Sequence, residues 1–303
     1  MPSFVQSFVA LAVIAHVAVG APCKAGDPFA KAALHDDVAV LAAPALDGRA
    51  PGTDGDAKAR AFIVERFTCL GLAPAGTGGG YEQPFTTGGT HTANVIATIK
   101  GTSEDIVMIS AHHDHLGHRH LGANDDASGI AALLAVAKAI AQGDPPARTL
   151  VFAAFGAEED GMIGSTFFAH HPTIALDRVV QFVELDMVGS YDSAGLVAAM
   201  GAFEGTGART LLREHTKQFA KLHVSAGGKA RGSDFEPFCK LGVPYTFFWT
   251  PDHRCYHETC DTIDRIDWPH MIDIAKLASA LVRGLADTRL ELAKLRAARG
   301  CGG

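Results

Sequence analysis

The 303-residue sequence contains no block of basic residues, and its formal net charge is -7. A phosphate track needs clustered lysine and arginine, so nucleic acid is excluded as a partner. Internal repeats and long low-complexity linkers are also missing, which excludes a solenoid and leaves one domain as the expectation. Beyond residue 19 there is no apolar run long enough to span a bilayer. What remains is ordinary globular composition, 48% hydrophobic and 19% charged, with ample material for a core.

The one apolar run, FVQSFVALAVIAHVAV at 4–19, is broken by Gln6 and His16 and falls short of the about 20 residues a span requires. Small residues at Ala18 and Gly20 fit a cleavage site before Ala21. Residues 1–20 therefore read as a secretory signal peptide, with an uncleaved anchor as the alternative, since the n-region has no Lys or Arg. Pro22 before Cys23 argues against a lipoprotein-type cleavage. In an exported chain, the six cysteines (23, 69, 239, 255, 260 and 301) are expected to include disulfides. Cys255 and Cys260, five residues apart in a loop, are the first candidates. Connectivity of the others does not follow from sequence; Cys69 reads as a buried thiol in a helix, and the Gly-Cys-Gly-Gly tail as frayed.

Apolar periodicity outlines the elements. A helix is predicted over 37–47, ended near Pro44, and an amphipathic one over 57–70, with Phe62, Ile63, Phe67 and Leu70 on one side and Gly71 as its stop. Strands are predicted at 94–100, 105–110, 149–155, 179–185 and 243–249, and helices at 128–142, 162–170, 206–221 and 268–298. Interleaved strands and helices, several strands too apolar to face water, imply an α/β fold: a three-layer sandwich around a mainly parallel mixed sheet.

Each strand then runs into acidic or histidine residues. The run at 105–110 leads into His112, His113 and Asp114; 149–155 into Glu158 and Glu159; 179–185 into Asp186; 243–249 into the loop with His253 and His257. Asp125 and Asp126 stand before the helix at 128–142. Open α/β sheets place ligand sites outside the carboxyl ends of their strands, so these segments converge on one edge. Gathered carboxylates beside apolar strands need an offsetting positive charge, because burying unpaired charge costs several kcal/mol per ion. A divalent metal is the economical answer, and nitrogen and oxygen donors without thiolate suit zinc, with cobalt or manganese as substitutes. A carboxylate bridging two ions would hold them roughly 3.5 to 4 Å apart.

The ordered segments AHHDH, NDDASG, AEEDG, ELDMVG and CYHETCDTID, with LAAPALDGRAPGT and NVIATIKGT upstream, resemble the di-zinc metallopeptidase family of secreted bacterial leucine aminopeptidases, to which glutamate carboxypeptidase II also belongs. The likeness covers about residues 38–290. It implies a zinc-dependent exopeptidase-like fold, a single catalytic domain over 21–303, and a secreted or periplasmic hydrolase with no membrane association after signal removal. It further implies two zinc ions per chain, one held by His112, Asp125 and Asp186, the other by Asp125, Glu159 and His257. Glu158 would be the general base acting on a water that bridges the ions, Asp114 would orient His112, and Tyr256 would help stabilise the oxyanion. The implied substrates are peptides with a free N-terminus.

Two positions depart from the family pattern: His113, where Tyr, Phe or Leu is usual, and Asp126, where Asn is frequent. No insert stands between 85 and 94, where larger relatives carry one. His115, His118, His120 and His253 read as solvated loop, His170 and His171 as a helix end, and Asp261 as an orienting group for the His257 loop. The stretch SDFEPF at 233–238 fits either a cleft lining or core. A single-zinc enzyme of the glutaminyl cyclase type, a carboxypeptidase or dipeptidase of the same clan, and a non-catalytic zinc-binding protein stand as alternatives.

Overall fold

Among the described residues, the apolar runs become the centre of a nine-stranded sheet in a computed structural model that describes residues 23–252, 254–292 and 301. Residues 1–20, read above as a signal peptide, and His253 lie outside the described residues. Strands β1 (Ala73–Pro74), β2 (Glu82–Thr87) and β3 (Thr90–Ile99) precede β4 (Ser103–His112), and β5 (Arg148–Phe155), β6 (Val179–Leu185), β7 (Val197–Met200), β8 (Val224–Ala226) and β9 (Tyr245–Trp249) come after it. Their spatial order is β1-β3-β5-β4-β6-β9-β7-β8, with β2 also paired to β3. The central strands β5, β4, β6 and β9 run parallel, so their carboxyl ends share one edge. Antiparallel pairing is confined to the flanks, where β3 meets β1, β2 and β5 and where β7 meets β9; β8 pairs parallel with β7.

Side chains of a strand alternate between faces, and both faces here are apolar. Val107, Ile109 and Ala111 of β4 and Leu150, Phe152 and Ala154 of β5 join a buried layer with helices α1 (Lys31–Leu41), α2 (Asp54–Leu70), α3 (Gly129–Gln142), α6 (Gly207–His215) and α8 (Trp268–Asp287); Tyr191, from the short α5 (Tyr191–Ala194), joins the same layer. Met108 of β4 and Val151, Ala153 and Phe155 of β5 face the opposite layer, closed by α4 (Ile163–His170) and α7 (Phe235–Lys240). Phe182 stacks on Phe238 at 4.5 Å between ring centroids, and Phe155 meets Phe168 edge-on at 5.8 Å. Phe235 and Phe238 are fully buried, which resolves the 233–238 stretch largely as core. Each such side chain contributes roughly 1.5 to 3 kcal/mol relative to exposure.

Helix limits reflect local chemistry. Thr53 caps α2 by accepting the amide of Asp56, and Gly71, at φ 72°, ends it in the left-handed region. The helix predicted over 37–47 instead ends at Leu41, and Pro44 opens a separate 3-10 turn to Arg49, because proline can start such a turn but cannot continue the helix before it. The helix predicted over 206–221 ends at His215, with a 3-10 turn over Thr216–Gln218 after it. Of the helix predicted over 268–298, α8 ends at Asp287, where the guanidinium of Arg148 donates to the carbonyls of Leu285, Thr288 and Leu290; residues 293–298 lie outside the described residues.

Every cysteine is paired. Cys255–Cys260 is present as expected, with alpha carbons 5.3 Å apart. Cys69 is not a free thiol but bonds Cys23, and the tail is tied rather than frayed at Cys301, which bonds Cys239. Those partners lie 46 and 62 residues away in sequence, so only the fold brings them together.

Arg49 braces the functional edge from below. It is fully buried, at φ 58°, and donates to the carbonyls of Leu41 (2.7 Å), His113 (2.8 Å), Leu121 (2.7 Å) and Gly122 (3.0 Å). Gly48 beside it, at φ 75°, must be glycine: a Cβ there would lie 2.1 Å from the carbonyl oxygen of His120. Replacing Arg49 by Met should lower stability in urea unfolding by about 3 to 5 kcal/mol, the range for removing one side of a buried charged network. Arg49→Lys should recover little of that loss, since an ammonium cannot reproduce the planar fork.

Candidate metal centre

The parallel strands deliver their polar ends to one place. His112 is the last residue of β4, Glu158 and Glu159 come after β5, Asp186 after β6, and His257 lies in the loop beyond β9. Asp125 comes from a tight turn over Ala123–Ser128 that feeds α3, and its peptide bond to Asp126 is cis. Asp261 accepts the amides of Asn124 (2.8 Å) and Asp125 (3.0 Å), so it ties the His257 loop to the Asp125 turn.

The five expected ligands come together in two groups that share one residue. His112 Nε2 stands 3.2 Å from Asp125 Oδ1 and 3.6 Å from Asp186 Oδ1. His257 Nε2 stands 3.4 Å from Asp125 Oδ2 and 2.8 Å from Glu159 Oε2. Asp125 thus offers one oxygen to each side. The donors are imidazole nitrogens and carboxylate oxygens with every cysteine in a disulfide, which suits zinc. Asp186 Oδ1 is buried without a hydrogen-bond partner among the described residues, an acceptor left for a cation, while Ser233 Oγ donates to its Oδ2 at 2.8 Å.

Neighbouring residues separate by direction. His113 points away from the site, with Nε2 3.1 Å from Asp56 Oδ1 in a buried network completed by Arg60. Asp126 lies near His112 and Asp186, yet its oxygens accept the amides of His112 (3.2 Å), Gly129 (2.8 Å) and Met187 (3.1 Å), a knot of three main-chain segments. Asp114 differs from the expectation that it orients His112. Its carboxylate accepts the amides of Glu158 (3.1 Å) and Glu159 (3.3 Å) and stands 3.8 Å from His112 Nδ1, which lies closer to the Asp114 carbonyl at 3.3 Å. The aspartate therefore holds the glutamate turn, and main chain sets the imidazole.

Sequence reasoning missed His115. Read as solvated loop, it is fully buried, with Nδ1 2.6 Å from Glu159 Oε1. His112 and His115 are three residues apart, a spacing that does not reveal which way an irregular segment turns them. His118 is exposed and His120 half-buried, as expected of a loop; His170 and His171 end α4. Asp252 was also missed: it accepts the amides of Arg254 and Cys255 and hydrogen bonds from Ser190 and Ser193, pinning the loop that carries His257.

Electrostatics in the protein alone are unbalanced. Burial opposes charge on His112, but Asp125 and Asp186 outweigh it and raise its pKa well above the usual imidazole value. Hydrogen bonds to Asp125 and Glu159 raise His257 to about 10. For Asp125 burial acts upward, yet the imidazoles of His112 and His257 hold its carboxyl well below the carboxylate range. Glu158 has no such partner. Burial, with Asp234, Asp186 and Asp114 nearby and His112 only partly compensating, pushes it up to about 11. Behind it, Glu184 and Asp234 are raised by burial as well.

A cavity of about 240 Å³ opens on this cluster. His112, Asp125, Glu158, Asp186 and His257 line one wall; Met200, Phe247 and Trp249 line an apolar wall, with Arg231 and Tyr256 also lining it. The Tyr256 ring stacks on His257 at 3.8 Å, and burial together with the nearby carboxylates raises its hydroxyl to about 12. The phenol stays a hydrogen-bond donor across the neutral range.

Residues 94–282 match the model of peptidase family M28. Leupeptin-inactivating enzyme 1 of Streptomyces exfoliatus is 27% identical over 288 residues, covering 86% of this chain and 63% of that protein. Aminopeptidase Y of Saccharomyces cerevisiae is 29% identical over 217 residues, 65% of this chain and 39% of that protein. The chain thus spans less than two thirds of the length of these curated relatives. Among solved structures, the zinc aminopeptidase BSAP from Bacillus subtilis superposes with a TM-score of 0.74 at 18% identity, covering 89% and 98% of the two chains. Glutaminyl cyclase of Porphyromonas gingivalis gives 0.73 at 20% identity, covering 85% and 99%. At these identities the structural likeness is one of fold.

Two adjacent histidines should separate cleanly by mutation. In chelator-stripped protein reloaded with zinc, His112→Ala should bind less zinc per chain by elemental analysis. His113→Ala should keep the wild-type metal content and lose about 1 to 3 kcal/mol of stability, because Asp56 is left buried with one partner fewer.

Proposed function

The chain belongs to peptidase family M28, and from that premise we propose that it is a zinc-dependent aminopeptidase that takes up two zinc ions and removes N-terminal residues from peptides with a free amino terminus. The observation that carries this reading is the division of Asp125, whose Oδ1 faces His112 and whose Oδ2 faces His257. In it, His112, Asp125 and Asp186 hold one ion and Asp125, Glu159 and His257 the other. Zinc, when bound, supplies Lewis acidity, polarising a carbonyl oxygen and lowering the pKa of water from about 15.7 to about 7.

The protein's own groups then have separable tasks. Glu158 lines the cavity beside the ligands and is free of the close imidazole contacts that engage Glu159. It accepts a proton as water adds to the scissile carbonyl carbon, and delivers that proton to the amine as the carbon–nitrogen bond breaks. In the protein alone burial favours its protonated form; cations held by the neighbouring ligands would offset that bias and leave a carboxylate able to take the proton. Asp114, through the amides of Glu158 and Glu159, keeps the two glutamates in fixed relation. Tyr256 offers its hydroxyl to the developing oxyanion. The wall of Met200, Phe247 and Trp249 fits an apolar N-terminal side chain.

A single-zinc cyclase is the second reading, supported by the fold shared with glutaminyl cyclase. The complete Asp125, Glu159 and His257 group favours two ions. Three disulfides support an oxidising compartment, hence a secreted or periplasmic protein; among the described residues no helix is long and apolar enough to cross a membrane.

Glu158→Gln should lower turnover of aminoacyl-anilides by about 10²- to 10⁴-fold while zinc content stays at the wild-type level. Loss of zinc along with activity would instead make Glu158 a ligand. Peptides with a blocked C-terminus should be cleaved and Nα-acetylated ones should not; the reverse pattern would replace the aminopeptidase reading by a carboxypeptidase.

A further inference from the structure

We propose that His115 is a positioning residue for the second cation: its Nδ1–H donates to Glu159 Oε1 and thereby commits Oε2 to the metal beside His257. The assignment rests on the two-zinc reading above and names a residue outside its ligand set.

The geometry divides the two oxygens of Glu159. Oε2 is 2.8 Å from His257 Nε2, on the side of Asp125, and Oε1 is 2.6 Å from His115 Nδ1. His115 Nδ1 is 3.9 Å from Asp125 Oδ2, beyond hydrogen-bond reach, so Glu159 is its partner. A carboxylate with one oxygen ordered by a donor presents the other in a fixed direction, and such partners of metal ligands set both ligand orientation and affinity. The main chain of Glu159 is already held through Asp114, and His115 adds a side-chain restraint on Oε1, separate from the contact of Oε2 with His257.

The surroundings are shaped for that imidazole. His115 is fully buried, and its ring meets the His257 ring edge-on at 6.0 Å between centroids. Gly122, at φ 60°, leaves the space the ring fills: a Cβ there would lie 2.6 Å from His115 Cγ and 2.7 Å from Cδ2. His115 Nε2 is buried without a hydrogen-bond partner among the described residues. With the hydrogen on Nδ1, the ring's one directional bond is the one to Glu159. His257, by contrast, arrives on a loop with its side chain 36% exposed, so the rigid part of the second site is Asp125 and Glu159. His115 is what fixes the latter.

Chelator-stripped full-length protein titrated with zinc by calorimetry tests this, with His257→Ala identifying the binding step of the second site. His115→Phe keeps a ring and removes the donor; it should weaken that step by about 10- to 100-fold and leave the first unchanged. His115→Asn places an amide N–H where Nδ1 was and forfeits only the unpartnered Nε2, so it should stay within a few-fold of wild type, near the order of magnitude of a retained hydrogen bond. Equal weakening in both variants, or in both steps, would overturn the assignment, as would unaltered affinities in His115→Phe; thermal unfolding of the metal-free variants reports any general loss of fold. A wild type that binds a single zinc per chain would overturn the two-cation reading itself, a result separate from any behaviour of the His115 variants.

Discussion

Carboxylates crowd the carboxyl edge of the sheet more densely than water can solvate them. Asp114, Asp125, Asp126, Glu184, Asp186 and Asp234 are all buried, with Glu158 and Glu159 at their border. Arg49, itself fully buried, is the permanent cation that Asp114, Asp261, Asp126 and Asp125 act upon. One guanidinium does not balance that many acids, and burying unpaired charge costs several kcal/mol per ion. The protein alone answers with protonation: raised imidazoles at His112 and His257, and raised carboxyls at Glu158, Glu184 and Asp126. Divalent cations between the same groups would replace those protons, which is why this arrangement reads as a metal centre and not as a surface acidic patch.

The scaffold fits that burden. Parallel strands with apolar residues on both faces make a platform whose C-terminal ends are held by two packed layers, and His112, Glu159 and Asp186 sit one to four residues beyond or at those ends. Main-chain hydrogen bonds do much of the remaining work. Asp126 gathers three amides, Asp114 two, Asp261 two and Asp252 two, so carboxylates engaged by main-chain amides fix the loops that carry the candidate ligands. A supporting shell of this kind holds donor positions before a ligand arrives.

Legibility from sequence tracked the strength of the periodic signal. The strand at Val179–Leu185 and the helix from Gly129 to Gln142 are long, apolar and bounded by polar residues, and they stand where the pattern placed them. The strands β1, β2, β7 and β8 on the flanks of the sheet went unread: β2 contains Pro84, and β7 and β8 are only 4 and 3 residues long. Their pairing is supplied by neighbours, and a few residues carry too little pattern to announce it. The break of α8 after Asp287 also went unread, because Arg148, distant in sequence, captures the carbonyls of Leu285, Thr288 and Leu290 there.

The site divides in the same way. Sequence alone determined which residue types stand at the strand ends, because a parallel sheet has one carboxyl edge and local order sets the residues just beyond each strand there. It could not decide direction. His112 turns toward Asp125 while His113 turns toward Asp56, His115 folds inward onto Glu159, and Asp114 serves two amides before any imidazole. The long-range disulfides at Cys23 and Cys239 belong to the same class. Side-chain direction in irregular segments depends on packing and on hydrogen-bond partners many residues away, and those partners exist only once the chain has folded.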